Sequence, residues 1–93
     1  LLQNINDNIR WNIVGDKLIV GKDQFAKAVE SMKQPKTVEL TIENILTHGN
    51  GGATDGMIKR EDGSSFAFCD VYRFSSNAKD AKIKEITSYV IKL

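Results

Sequence analysis

From Thr37 to the C-terminus the sequence reads with a period of two, broken only by short glycine-rich or polar turns. That period sends successive side chains to opposite faces of an extended chain, so each run is a strand with one face open to burial. In the first run, Val38, Leu40, Ile42, Asn44, Leu46 and His48 share one face. Thr37, Glu39, Thr41, Glu43 and Thr47 share the other, with Ile45 out of pattern. The reading is a half-buried strand. Gly49-Asn50-Gly51-Gly52 turns the chain, and Ala53 to Arg60 is the next strand, with Gly56 a candidate bulge. Glu61-Asp62-Gly63 is a hairpin turn. Ser65 to Phe74 is a strand rich in aromatics, Ser75 to Ala81 a polar turn, and Lys82 to Leu93 the last strand. Consecutive strands joined by tight turns pair antiparallel, which makes a meander of four.

Before Thr37 the signals are shorter. Leu1 to Asn8 reads as the last turn of a helix and its exit, because Asn6, Asp7 and Asn8 favour turns over helix. Ile9 to Val14 is a short strand ended by Gly15-Asp16, and Leu18 to Val20 a brief extended piece closed by Gly21. Phe25, Ala28, Val29 and Met32 then fall at i, i+3, i+4 and i+7, the apolar stripe of a helix. Asp23 is placed to cap that helix and Pro35 to end it, since the residue before a proline avoids helical angles. One helix against one curled sheet is an α+β architecture.

Size and charge narrow the function. A chain of 93 residues is one domain at most. Its 13 basic and 12 acidic side chains leave a net charge of +1, with lysines mixed among acids along the whole length. A nucleic-acid binder gathers its positive charge on one face, so that partner class is excluded. No apolar run reaches the ~20 residues of a membrane span. The start, Leu1-Leu2-Gln3-Asn4, has neither an initiator Met nor signal-peptide features and reads as the middle of a longer chain. Cys69 is the sole cysteine, which excludes an internal disulfide and a cysteine-based zinc site and fits a reducing, cytoplasmic setting. With no phosphate loop, nucleophile elbow or metal-ligand spacing, no cofactor is expected.

Asp70 is the most informative position. In Phe66 to Phe74, alternation puts Phe66, Phe68, Asp70, Tyr72 and Phe74 on one face. A carboxylate among aromatics must be paired, or held as a neutral donor. Such acids collect at functional sites, though structural ones also occur. Asn44 and His48 share the otherwise apolar face of their strand, and His48 is a second candidate proton carrier. The commoner role for a histidine at a strand end is a bond to a turn carbonyl. Trp11 combines an apolar body with one polar atom, which suits a pocket wall or plain core packing. Cys69 faces away from Asp70 and reads as a small buried apolar group.

Two stretches carry a family resemblance. Ile9-Arg10-Trp11-Asn12-Ile13-Val14-Gly15, followed by Val20-Gly21-Lys22 and a helix, is similar to the first strand and next helix of nuclear transport factor 2-like domains. Asp70-Val71-Tyr72-Arg73-Phe74 and Lys82 to Val90 resemble their last hairpin. The resemblance covers residues 1–93 as one SnoaL-like domain lacking its N-terminal helices. It implies a curved antiparallel sheet wrapped on helix, a cone-shaped, cystatin-like α+β roll with a pocket inside, and it implies homodimers. Against the ketosteroid isomerases of this superfamily, Asp70 matches the oxyanion-hole aspartate, a neutral donor. Asn12 stands where those enzymes carry their catalytic base, and it cannot take a proton. The expected activity is binding of a small apolar or amphipathic molecule, with Trp11, Asn12, Asn44, Phe68 and Tyr72 as wall and Asp70 as polar anchor. The alternatives are a SnoaL-like isomerase or cyclase using Asp70 or His48 for acid–base work on a small carbonyl compound, and a non-catalytic dimerisation module.

Overall fold

The computed structural model describes residues 5–33, 36–76 and 80–93. In chain order its elements are β1 (Ile5–Ile13), β2 (Lys17–Val20), α1 (Lys22–Ser31), β3 (Thr37–His48), β4 (Gly51–Arg60), β5 (Ser65–Phe74) and β6 (Ile83–Lys92). The four alternating runs become the antiparallel meander β3 to β6 that their period predicts. All six strands form one sheet in the order β2-β1-β6-β5-β4-β3. The join is β6, antiparallel to β5 on one side and parallel to β1 on the other. This parallel pairing brings the N-terminal third of the chain against the meander, and no local pattern announces it.

The first strand starts earlier than the turn-forming residues suggest. Ile5 to Asn8 is strand, not the exit of a helix, and Leu1 to Asn4 lie outside the described residues. The reason is local. The Asn8 backbone N–H donates to the Asn6 side-chain oxygen at 2.8 Å, and the pairing with β6 is irregular between Ile5 and Arg10. The turn preference of asparagine is spent on a bulge within the strand. Both flanking isoleucines, Ile5 and Ile9, are fully buried, and burial of a side chain that size contributes about 1.5–3 kcal/mol.

Helix α1 buries the stripe expected of it. Phe25 and Ala28 join Ile5, Ile9, Ile13, Ile19 and Ile86 in the core, with Val29 and Met32 partly buried beside them. Its start differs from expectation. Gly21, at φ 92°, occupies the N-cap without any side-chain bond. The Gly21 N–H donates to the Ile9 carbonyl, and its own carbonyl accepts from Phe25. Asp23 falls within the first turn, where its charge complements the helix dipole. Pro35 lies outside the described residues.

Strand β3 is the largest departure from the pattern. Every one of its residues is exposed, where alternation predicts one buried face. It is an edge strand, and α1 packs over β1 and β2 at the opposite edge. Its register with β4 shifts between Ile42 and Asn44, opposite Gly56. The shift needs that glycine, because a Cβ at position 56 would run into the Thr41 carbonyl oxygen. One inserted residue reverses the phase of everything that follows.

Candidate functional site

Register decides which side chains share a face, and it groups the inner face of the sheet into rows. Leu40, Ile58, Phe66 and Lys92 lie abreast, and beside them Ile42, Gly56, Phe68 and Val90. Next come Thr54, Asp70, Ser88 and Ile13, then Tyr72, Ile86 and Trp11. With Met32 from the end of α1, these rows surround one hollow of about 800 Å³. Side chains from β1, β3, β4, β5 and β6 all line it, so the sheet is concave on this side. The volume falls within the roughly 300–1,000 Å³ of small-molecule sites.

Thr54, Asp70, Ser88 and Tyr72, four of the polar side chains of the hollow, stand in the two rows nearest the core. The Tyr72 hydroxyl donates to Asp70 Oδ2 over a long 3.4 Å, and Trp11 Nε1 donates to Ser88 Oγ at 2.8 Å. The Trp11 ring leans on Phe25, with centroids 5.2 Å apart and planes tilted by 49°, which fixes its indole N–H toward β6. Burial, and then the adjacent Asp70 carboxylate, raise the Tyr72 pKa above that of a free phenol, with a hydrogen bond from Thr54 acting the other way. Tyr72 is therefore a neutral donor at physiological pH. The Asp70 carboxyl group and the Tyr72 hydroxyl, joined by that long bond, form a polar pair with spare acceptor capacity at the end of a wall built from Ile42, Ile58, Phe66, Phe68 and Val90. That arrangement can orient one polar end of an otherwise apolar molecule.

Of the residues singled out from sequence, Trp11, Phe68, Asp70 and Tyr72 line this hollow. Asn12, Asn44 and His48 do not. Asn12 pairs with Thr87 and Leu18 on the outer face, one step out of phase with Trp11. Asn44 is turned outward by the shift after Ile42, and its amide donates to Asp55 at 3.0 Å. His48 is carried to the same outer face, opposite Gly51, which pairs in turn with Arg73. The bulge thus separates His48 from Asp70. Thr54 and Ser88 were missed, although each is the cross-strand neighbour of Asp70. Their signal appears only once the register is known. Phe66 was already legible on the Asp70 face by alternation.

The outer face also carries apolar side chains, among polar ones such as Asn44, Asp55 and Thr87. Leu46, Met57, Val71, Tyr89 and Ile91 project from it, each exposed. Cys69 stands among them half-exposed, where burial was expected. Among the described residues, no three of His, Cys, Asp and Glu gather as a metal-ligand set, and no helix is long and apolar enough to cross a membrane.

No protein-family model and no curated protein matches the sequence. Solved structures do. An NTF2-like protein of unknown function from Cytophaga hutchinsonii is 30% identical, with a TM-score of 0.80 over 97% of this chain and 81% of that one. A protein of the SnoaL-like family from Agrobacterium tumefaciens superposes with a TM-score of 0.77 at 17% identity, over 96% of this chain and 75% of its own. An LEH-like epoxide hydrolase from Mycobacterium tuberculosis does so at 0.73 and 19% identity, over 97% and 67%. At that identity the last two share the fold alone.

Proposed function

The chain belongs to the nuclear transport factor 2-like family, and from that premise we propose that it binds a small apolar or amphipathic molecule within its concave hollow. The observation that carries this reading is the composition of the wall. Aliphatic and aromatic side chains make up much of the wall of about 800 Å³, and the bonded pair of Tyr72 and Asp70 stands at one end. A few placed polar groups in an apolar cavity is the usual design of a ligand site. A SnoaL-like isomerase or cyclase would have to work with Asp70 alone, since His48 is on the other face.

The outer face supports a second reading, association of two copies through their sheets. Four strands spaced about 4.8 Å apart and some ten residues long span roughly 600 Å². That approaches the about 800 Å² per partner of a stable interface. Its exposed apolar side chains suit the centre of such a contact.

Two neighbouring substitutions on β6 separate the readings. Val90 faces the hollow and is 49% exposed, and Ile91 faces outward and is 65% exposed. Val90→Asp should leave the fold intact and abolish the rise in melting temperature that a neutral amphiphile such as dodecanol produces. Ile91→Asp should leave that rise unchanged and shift the mass measured by sedimentation from dimer to monomer. Absence of any ligand effect on the wild type sinks the first reading, and a monomeric wild type sinks the second.

A further inference from the structure

The charges that line the hollow do not cancel. At the Lys92 end, Arg60 and Lys92 stand against Asp16 and Asp62, two of each sign, so that rim is balanced. The Arg60 guanidinium is tied down there, Nη1 donating to the Met32 carbonyl at 3.1 Å. Asp70 is the fifth charged residue of the lining, and it stands apart. The rows on either side of it hold Ile42, Phe68 and Val90, and Tyr72, Ile86 and Trp11, with no cation among them. Lys92 is four residues beyond Ser88 on one neighbouring strand, and Arg60 six beyond Thr54 on the other. At some 3.4 Å per residue these backbones are about 14 and 20 Å away. Lys17 ends the Asp70 row at the sheet edge, three strand spacings or about 14 Å off. It lines the groove between β2 and α1 instead.

The hydrogens of the polar cluster are already directed. Thr54 donates to Tyr72, and the Tyr72 hydroxyl donates to Asp70 Oδ2 at 3.4 Å. Trp11 Nε1 donates to Ser88 Oγ. The first series ends on a group that only accepts, and a carboxylate offers about four acceptor sites. One long bond leaves most of them open. A carboxylate beside an apolar wall gains from any donor that a ligand brings, and most from a cationic one.

We infer that the ligand is an elongated apolar molecule ending in a single protonated amine, which docks against Asp70. Its tail runs past Phe68 and Phe66, about 14 Å along β5, toward the balanced rim. The inference rests on the binding reading above and adds ligand class and direction to it. A carboxylate at the Asp70 end is rejected, because two like charges would meet against a low-dielectric wall.

The test compares dodecylammonium, dodecanol and dodecanoate, each below its micellar or solubility limit, by calorimetry and by amide chemical shifts. Wild type should bind dodecylammonium at least about tenfold more tightly than dodecanol, the scale of one charge-assisted contact. Dodecanoate should bind no more tightly than dodecanol. Amide shifts that differ between bound dodecylammonium and bound dodecanol should gather at Thr54, Asp70, Tyr72 and Ser88, not at Asp16, Asp62 and Lys92. Asp70→Asn should bring dodecylammonium down to the affinity of dodecanol while dodecanol binds as before, which shows that the altered cavity is still folded. If the variant binds neither, the wild-type ranking and shifts decide alone. If ammonium and alcohol bind the wild type alike, or dodecanoate binds most tightly, the cationic class is wrong while the hollow stands. If the differing shifts gather at Asp16 and Asp62, or the preference survives Asp70→Asn, the anchor is wrong. If none of the three binds the wild type, the binding reading itself fails.

Discussion

Gly56→Ala tests the feature that decides which side chains enter the hollow. The added methyl would collide with the Thr41 carbonyl oxygen, and the Ile42 Cα would stand only 3.0 Å from it. Neither is a flexible side-chain end, so backbone must move. Forced overpacking costs about 1–3 kcal/mol. Against it stands the roughly 0.4–1 kcal/mol that replacing glycine gains by restricting the unfolded chain. At the middle of both ranges the net is a loss of about 1.3 kcal/mol, or a fall of about 5–10 °C in Tm for a domain this small. Gly51→Ala is the internal control. A Cβ there meets nothing closer than two carbonyl oxygens at 3.7 Å, so only the unfolded-state gain remains and Tm should hold or rise. Calorimetric melts of the three proteins decide the matter. Should Gly56→Ala melt at or above the wild type, the close approach of β3 to β4 and the face assignment built on it are refuted.

Other outcomes follow from the same packing. Ile9→Ala empties a fully buried position between α1 and the sheet and should cost about 2–5 kcal/mol in denaturant unfolding. A cost below 1 kcal/mol would mean that the core lies elsewhere. The raised pKa of Tyr72 means that the folded state holds this proton longer than the unfolded state. Its contribution is complete below the unfolded value of about 10 and is lost as pH climbs through the raised folded value. Wild type should therefore lose stability over that alkaline range relative to Tyr72→Phe, and parallel pH–stability curves would contradict the burial of its hydroxyl.

The meander was legible because each of its strands carries its own period and its own turn. Ser65–Phe74 and the Glu61-Asp62-Gly63 turn needed no partner to be recognised, and the stripe of Phe25, Ala28, Val29 and Met32 needed only a helix. What failed was phase carried across an irregularity. Asn44 and His48 were assigned by counting twos from Val38, and one inserted residue after Ile42 turns both outward. Gly56 was marked as a bulge, but its consequence falls on the strand opposite, whose register against it the sequence alone does not give. Ile5 was hidden by the asparagines that build the bulge beside it. Asn12 was placed by resemblance, and strand alternation puts it on the face opposite Trp11. The polar end of the hollow was half legible. Asp70 and Tyr72 share a strand, whereas Ser88 and Thr54 reach them only through pairing.

The central claim is that one face of β5 lines a ligand-binding hollow and the other does not. Backbone chemical shifts followed by NMR during titration with dodecanol measure this residue by residue. Phe66, Phe68, Asp70 and Tyr72 should move with occupancy while Ala67, Cys69 and Val71 between them stay in place. Shifts that fall equally on both sets, or only on the second, would contradict the account.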